Sequence, residues 1–321
     1  MNPPDAMQCG GRGRTARPRK GFTLVELMAA MSVTSLIVVV MVSVSGVALD
    51  TWSRSRSEVR ASRQAVAMAE AMSRDLEALV MRDGNAFQWL SAEAKIPDGG
   101  PNGATVSPNA ARLLFFSAAM DRYDGKAGDA GARKEGNIST IAYELQYRDP
   151  TVGGGNGDLA SFVLNRKIVN PDDTINGLLG KTDLPDAFQG HLNRMGDLRN
   201  FVCENVYQFT VTFHVDVEDR AKRKRTLQIP LQVGRNNGPG SVPEFGVFGN
   251  RIEAGFPARG DITAEAFAEG TLSGISISMT ILTDFGIEQM RRRGFLSAAE
   301  RAGFVQKNSY QYSKFVPITR G

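Results

Sequence analysis

At 321 residues with 42% apolar side chains, the chain is long enough to bury a sizeable core in one large domain or two ordinary ones. Its net charge of +4 invites a nucleic-acid reading, but Arg12, Arg14, Arg17, Arg19 and Lys20 against Asp5 place that whole excess in residues 1–21. The remaining chain is formally neutral, which argues against a general polyanion binder. Two cysteines far apart, Cys9 and Cys203, and two histidines in unrelated contexts, His191 and His214, make neither a disulfide framework nor a His-rich metal site.

After the basic cluster, Leu27–Leu49 runs 23 residues without a charge, long enough to span a membrane as a helix. It is longer than the apolar stretch of a secretory signal peptide and is followed by more helix, with no cleavage site. From Thr51 to Asp83 there is neither proline nor glycine, and Val59, Ser62, Val66, Ala69, Ser73, Leu76 and Val80 recur at steps of three and four. Gly84 and Asn85 supply the stop. The spacing therefore predicts one helix over residues 22–84, transmembrane in its first half and amphipathic in its second.

Beyond Gly84 the pattern changes to strands and turns. Ala111–Ala118 reads as a buried strand, and Ser139–Asp149 and Leu159–Val169 as a hairpin. Asn170–Arg199 reads as loop with short helical turns. Phe201–Asp219 and Arg225–Val233 form the clearest hairpin, around a charged turn. Asn236–Asp261 is a Gly/Pro-rich excursion, Leu272–Asp284 a last strong strand, Gly286–Ala302 a short helix, and the rest a polar, aromatic tail. A long helix packed on an antiparallel sheet is an α+β arrangement.

The most informative residue is Glu26, a carboxylate at the entrance of the apolar run. Such a charge costs on the order of 2.5–3.5 kcal/mol at mid-helix, and less near an edge, so a partner is expected. A cut after Gly21 would give Phe22 a new α-amino group, one helical turn above Glu26. Amine and carboxylate so placed can neutralise each other within one chain, or between chains stacked with an axial offset.

The segment "RKGFTLVELMAAMSV" resembles the leader and N-terminal methylation segment of type IV pilins and type II secretion pseudopilins. The resemblance implies cleavage between Gly21 and Phe22 by a prepilin peptidase, methylation of Phe22, and an assembly role for Glu26 through a neighbouring subunit's N-terminus. It also implies a cleaved leader (1–21), a helical stem (22–84) and a β-rich head (85–321), with other pilin-like subunits and an inner-membrane assembly platform as partners. The order of the head strands is similar to that of larger minor pilins, particularly the J-type pseudopilin; length and layout are also similar to the Verru_Chthon cassette protein C family. A large, insert-rich head suggests a minor subunit. Five basic residues ahead of the span favour a cytoplasmic N-terminus and an extracytoplasmic head, although Arg54, Arg56, Arg60 and Arg63 beyond it weaken that bias.

Other chemistry is poorly supported. Arg220–Arg225 ("RAKRKR") lacks interleaved aromatics and reads as a solvated turn, so nucleic acid is not an expected partner, with a DNA-uptake pilin as the exception. "MRRRG" (290–294) suits the positively charged end of a short helix. The acidic loops "NPDDTING", with Asp172 and Asp173, and "GGGNGD" lack the ligand alternation of a calcium loop. Cys203 lies in a strand-like run and reads as a small buried apolar residue. Neither GxSxG nor HExxH occurs and the glycine pairs form no phosphate loop, so no enzyme, cofactor or metal is expected. The rival to a filament subunit is a membrane-anchored extracytoplasmic binding domain that uses the pilin export route without polymerising.

Overall fold

A computed structural model describes residues 21–96, 99–100, 111–118, 137–152, 159–232, 242–255, 261–292 and 297–318. The basic leader, Cys9, the "GGGNGD" loop, the charged insert over 121–136 and most of Asp98–Asn109 lie outside these residues. Two compact units divide at Ser53/Arg54.

The first unit contains the start of helix α1 (Leu24–Glu77), a helix long and apolar enough to cross a membrane. Its apolar side chains are exposed, Phe22 at 89% and Leu36 at 67%. Polar side chains within the run bond back to the preceding turn: Ser32 Oγ donates to Met28 O at 2.8 Å and Thr34 Oγ1 to Ala30 O at 2.8 Å. Such bonds let hydroxyls sit in lipid without an unmet donor.

The second unit, from Arg54, holds the rest of α1 and two antiparallel sheets. The larger sheet comprises β1 (Gln88–Ala94), β2 (Ala111–Ser117), β3 (Ser139–Arg148), β4 (Ser161–Val169), β5 (Phe201–Cys203), β8 (Glu244–Phe248) and β9 (Ile252–Ala254), in the order β5-β4-β3-β2-β1-β8-β9. The smaller comprises β6 (Val206–Glu218), β7 (Lys224–Pro230), β10 (Thr271–Leu282) and β11 (Ser309–Pro317), in the order β11-β10-β6-β7. Short helices α2 (Pro171–Asp173), α3 (Leu184–Leu192), α4 (Ala264–Ala268), α5 (Asp284–Arg292) and α6 (Ala298–Lys307) fill the connections. The expected α+β arrangement, a long helix followed by an antiparallel head, is present.

One core joins α1 to the inner faces of both sheets. Ala61, Ala65, Met68, Met72 and Leu76 of α1 share it with Leu113, Phe115, Ile141 and Phe162 of the large sheet and with Phe209, Phe213, Ile277 and Met279 of the small one. The stripe that packs shares Ala69, Ser73 and Leu76 with the one the sequence suggests but departs from it nearer the membrane, where Val59 is 47% exposed and Ala61 and Ala65 are buried. Alanines let the helix backbone approach the sheets, and unbranched methionines fill the irregular gaps beyond them. The helix also ends at Glu77, seven residues before Gly84. Val80 N donates to Phe116 O at 2.9 Å and Ala118 N to Ala78 O at 2.8 Å, so β2 captures the backbone that would have continued the helix.

A polar cluster adds to the apolar fastening of α1 on the large sheet. Buried Asp75 accepts Arg166 Nε at Oδ2 and Arg166 Nη2 at Oδ1, both at 2.7 Å, and also accepts the Tyr143 hydroxyl. The opposite face of that sheet is covered too. Trp89, Leu114, Phe116, Ala142 and Val169 pack with Leu178, Leu184, Phe188 and Met195 from the 170–200 segment. That second cover explains why β3 is buried on both faces where half-burial was expected.

Four other expectations are corrected. Phe201–Asp219 is not one strand: β5 pairs with β4 and β6 with β10, and the chain crosses between sheets at Asn205, whose φ is +61°. The Asn236–Asp261 excursion contains β8, which pairs with β1, and β9. The single helix over Gly286–Ala302 is two, α5 and α6, the second opened by a capping box in which Ser297 Oγ accepts from Glu300 N. The tail forms β11, paired with β10 along its whole length.

Candidate functional site

Gly21, Phe22 and Thr23 precede α1, all exposed. Thr23 closes the helix entrance through a reciprocal pair of contacts. Thr23 N donates to Glu26 Oε2 at 2.9 Å, Thr23 Oγ1 donates to the same oxygen at 3.1 Å, and Glu26 N donates to Thr23 Oγ1 at 3.2 Å. Leu27 N donates to Thr23 O at 3.1 Å. This is a capping box, in which orphan donors of the first turn are satisfied by the residues that also stop the helix. Its sequence signal is Thr-x-x-Glu ahead of an apolar run. The Glu26 carboxylate therefore lies at the N-terminal end of α1, the positive end of the helix dipole, where a negative charge is favoured.

The family description "Prokaryotic N-terminal methylation motif" matches residues 16–42. Those residues are a prepilin-type cleavage and methylation segment. Over this stretch the chain is type IV pilin-like and a prepilin peptidase substrate, of a kind that anchors structural subunits in a membrane and assembles with other pilin subunits. No curated protein and no solved structure matches the chain.

The remaining residues singled out from sequence do not converge on the Phe22–Glu26 segment or on each other. Cys203 is 1% exposed, and burial pushes its thiol up to about 12, with the Glu204 charge adding to the effect. So raised, it is protonated at neutral pH and unsuited to nucleophilic chemistry. His214 lies on the outer face of the small sheet, its Nε2 2.7 Å from Ser276 Oγ, whereas His191 lies in the last turn of α3 beside Phe188. Asp172 and Asp173 occupy the first turn of α2, and among the described residues no group of three His, Cys, Asp or Glu side chains could hold a metal.

The basic turn at Arg220–Arg225 is organised from within. Asp219 accepts Ala221 N at 2.9 Å, Arg223 N at 3.0 Å and Arg223 Nε at 2.8 Å, with Arg225 Nε at 3.2 Å. The backbone bond from Arg223, aided by its guanidinium and the Ala221 amide, holds the Asp219 carboxyl below its ordinary range. Part of this cationic run is thus spent on its own turn. Of "MRRRG", Arg291 Nε donates to Ala160 O at 2.9 Å within the head, while Arg293 and Gly294 lie outside the described residues.

Proposed function

We propose that the protein is a subunit of a type II secretion pseudopilus or a type IV pilus-like filament. A prepilin peptidase cuts between Gly21 and Phe22 and methylates the new Phe22 amine. Leu27–Leu49 holds the subunit in the inner membrane, with the leader cytoplasmic and the head extracytoplasmic. An inner-membrane assembly platform then moves it into the filament, where Glu26 pairs with the amine of a neighbouring subunit. The large head, from residue 85 to 321, would repeat poorly at high density and favours a minor subunit.

The observation that carries this reading is the ordered set Gly21, Phe22, Glu26 and an uncharged helix inside a matched methylation motif. The capping geometry supports it: Thr23 holds the carboxylate on the backbone amide next to Phe22, the residue whose amine a cut would create. Mass analysis of the N-terminus of the mature protein is the test. A chain starting at methylated Phe22 is expected, and an intact leader on the membrane-inserted protein would overturn the proposal.

A further inference from the structure

The outer face of the small sheet is a field of uncharged polar groups with one aromatic ring set into it. Across β11, β10 and β6 the register places Gln311 beside Thr280 and Gln208, and Ser313 beside Ser278 and Thr210. The next row joins Phe315 to Ser276 and Thr212, and the row after that brings Gly274 to His214. The alternate residues of the same strands, Phe209, Val211, Ile277 and Met279 among them, fill the core on the inner face. No lysine, arginine, aspartate or glutamate occurs in these four outward rows, in a chain of which 22% is charged. Solvent-facing strands ordinarily carry such charges, which keep sheets soluble and apart.

His214 adds no charge at neutral pH, because burial holds its pKa below the usual range against the pull of Asp216. Its Nε2 lies 2.7 Å from Ser276 Oγ. Charge resumes one row on, at Asp216, whose Oδ1 already accepts Thr226 Oγ1 at 2.6 Å and Ser273 Oγ at 3.1 Å. Within the field, the side chains of Thr212, Ser278, Thr280, Gln311 and Ser313 make no hydrogen bond among the described residues.

Phe315 is held in place on this face. Its ring lies over Gly274, where a β-carbon would come 2.3 Å from Phe315 Cε2. The His214 ring meets it nearly perpendicular, with 4.9 Å between centroids. So braced, the residue is still 51% exposed. An aromatic face attracts C–H groups by dispersion and through its quadrupole, while hydroxyls and carboxamides both donate and accept hydrogen bonds. The ligand that answers both is uncharged, dense in hydroxyls and flanked by C–H faces, which describes a sugar ring. A polyanion or an acidic membrane would find no cation here, and a protein partner would find no ion pair to fix its register. Strand spacing of ~4.8 Å and ~6.8 Å between successive outward residues make the field about 10 Å by 20 Å, open and flat. Those proportions suit a run of linked sugars better than a single one.

We infer that the outer face of the small sheet, with Phe315 as its stacking platform, binds a neutral polysaccharide. The inference goes beyond the filament reading and holds whether or not the chain polymerises.

The test uses the full-length protein in a detergent without a sugar headgroup. It is mixed with insoluble cellulose, chitin or mannan, and with alginate beads as an acidic control, and the bound fraction is measured after sedimentation. Retention by at least one neutral polymer and not by alginate is expected. Phe315→Ala is expected to raise the half-saturating polymer concentration roughly three- to tenfold, as loss of one aromatic stack would, and Phe315→Trp to preserve binding. Ser278→Glu, which puts a charge in the middle of the field, is expected to weaken retention as well. An unchanged denaturation midpoint for each variant separates lost binding from lost fold. Failure of all three neutral polymers to retain the protein, wild-type retention of Phe315→Ala, or equal retention by alginate overturns the inference. Self-association that disappears in Phe315→Ala, without retention by any polymer, assigns the face to a second copy and overturns it too.

Discussion

Glu26 does two things that one substitution can separate. Its carboxylate caps α1 through Thr23, and in the proposed filament its charge neutralises the amine of Phe22 on a neighbour. Glutamine at the third helical position serves a capping box about as well as glutamate, so Glu26→Gln preserves the cap and removes only the charge. Thr23→Val does the reverse, deleting the hydroxyl at 3.1 Å and 3.2 Å while leaving the carboxylate. Loss of an N-cap hydroxyl costs ~1 kcal/mol, or about fivefold in an equilibrium. Loss of one partner from a desolvated charge pair costs ~3–5 kcal/mol, or between about two and nearly four orders of magnitude. Filament recovered by shearing, normalised to processed subunit in the membrane, is thus expected to fall at least a hundredfold for Glu26→Gln and roughly fivefold for Thr23→Val. Processing of both variants should persist, because the cut lies between Gly21 and Phe22. Wild-type assembly by Glu26→Gln would refute the charge-pair argument and leave Glu26 as a helix cap only.

Four further outcomes concern the head. Asp75→Asn removes the buried carboxylate charge that the largely buried Arg166 binds bidentately and is expected to destabilise the head by up to ~3 kcal/mol, seen as a lower denaturation midpoint with an unchanged slope. Adding Arg60→Ala should cost under ~1 kcal/mol more, additively, since exposed pairs are weak and the two sites share no partner. Burial, with the Asp75 charge adding to it, raises the Tyr143 hydroxyl well above the ordinary tyrosine value. Tyr143 therefore remains neutral in the fold while the unfolded residue ionises, so stability holds below about pH 10 and falls above it, and Tyr143→Phe should flatten that alkaline loss in a denaturation series. In a Cys9→Ser background, the Cys203 thiol should resist an aromatic disulfide reagent at neutral pH and react fully once the head is denatured; prompt labelling of folded protein would contradict its burial.

What the sequence made legible was whatever local pattern decides. The methylation segment is a linear motif, the span is a matter of length and absent charge, and β2, β3, β4, β6, β7 and β10 are long enough to show their period. What it hid was decided by contacts distant in the chain. Glu77 ends α1 because residues 78–80 bond to β2, some forty residues on, and no local stop marks that point. The break between Cys203 and Val206 lies inside an apolar run, and only the pairing of β5 with β4 and of β6 with β10 reveals it. β8 and β11 are short or polar strands whose partners, β1 and β10, supply the hydrogen bonds that their own composition does not advertise. At the candidate site the capping role of Glu26 was written in Thr-x-x-Glu, yet the same residues carried a louder signal for assembly.

The two polar fastenings of α1 give the head a mechanical logic. Arg60 ties the helix to Glu204, where the chain leaves β5 for β6, and to Asp284, which opens α5 directly after β10. Fifteen residues on, about 22 Å along the helix, Asp75 ties it to Tyr143 of β3 and Arg166 of β4, in the large sheet. Apolar packing alone resists separation but is non-directional, and a helix seated on alanines and methionines has little to stop it sliding along its axis. A bidentate arginine–carboxylate pair has a fixed geometry and does oppose sliding. If a subunit is drawn into a filament by its stem, the load on α1 reaches the head first at the exposed Arg60 pairs and then at the buried Asp75 cluster. The weaker, solvent-screened contact stands at the entrance and the stronger, desolvated one deeper in the head.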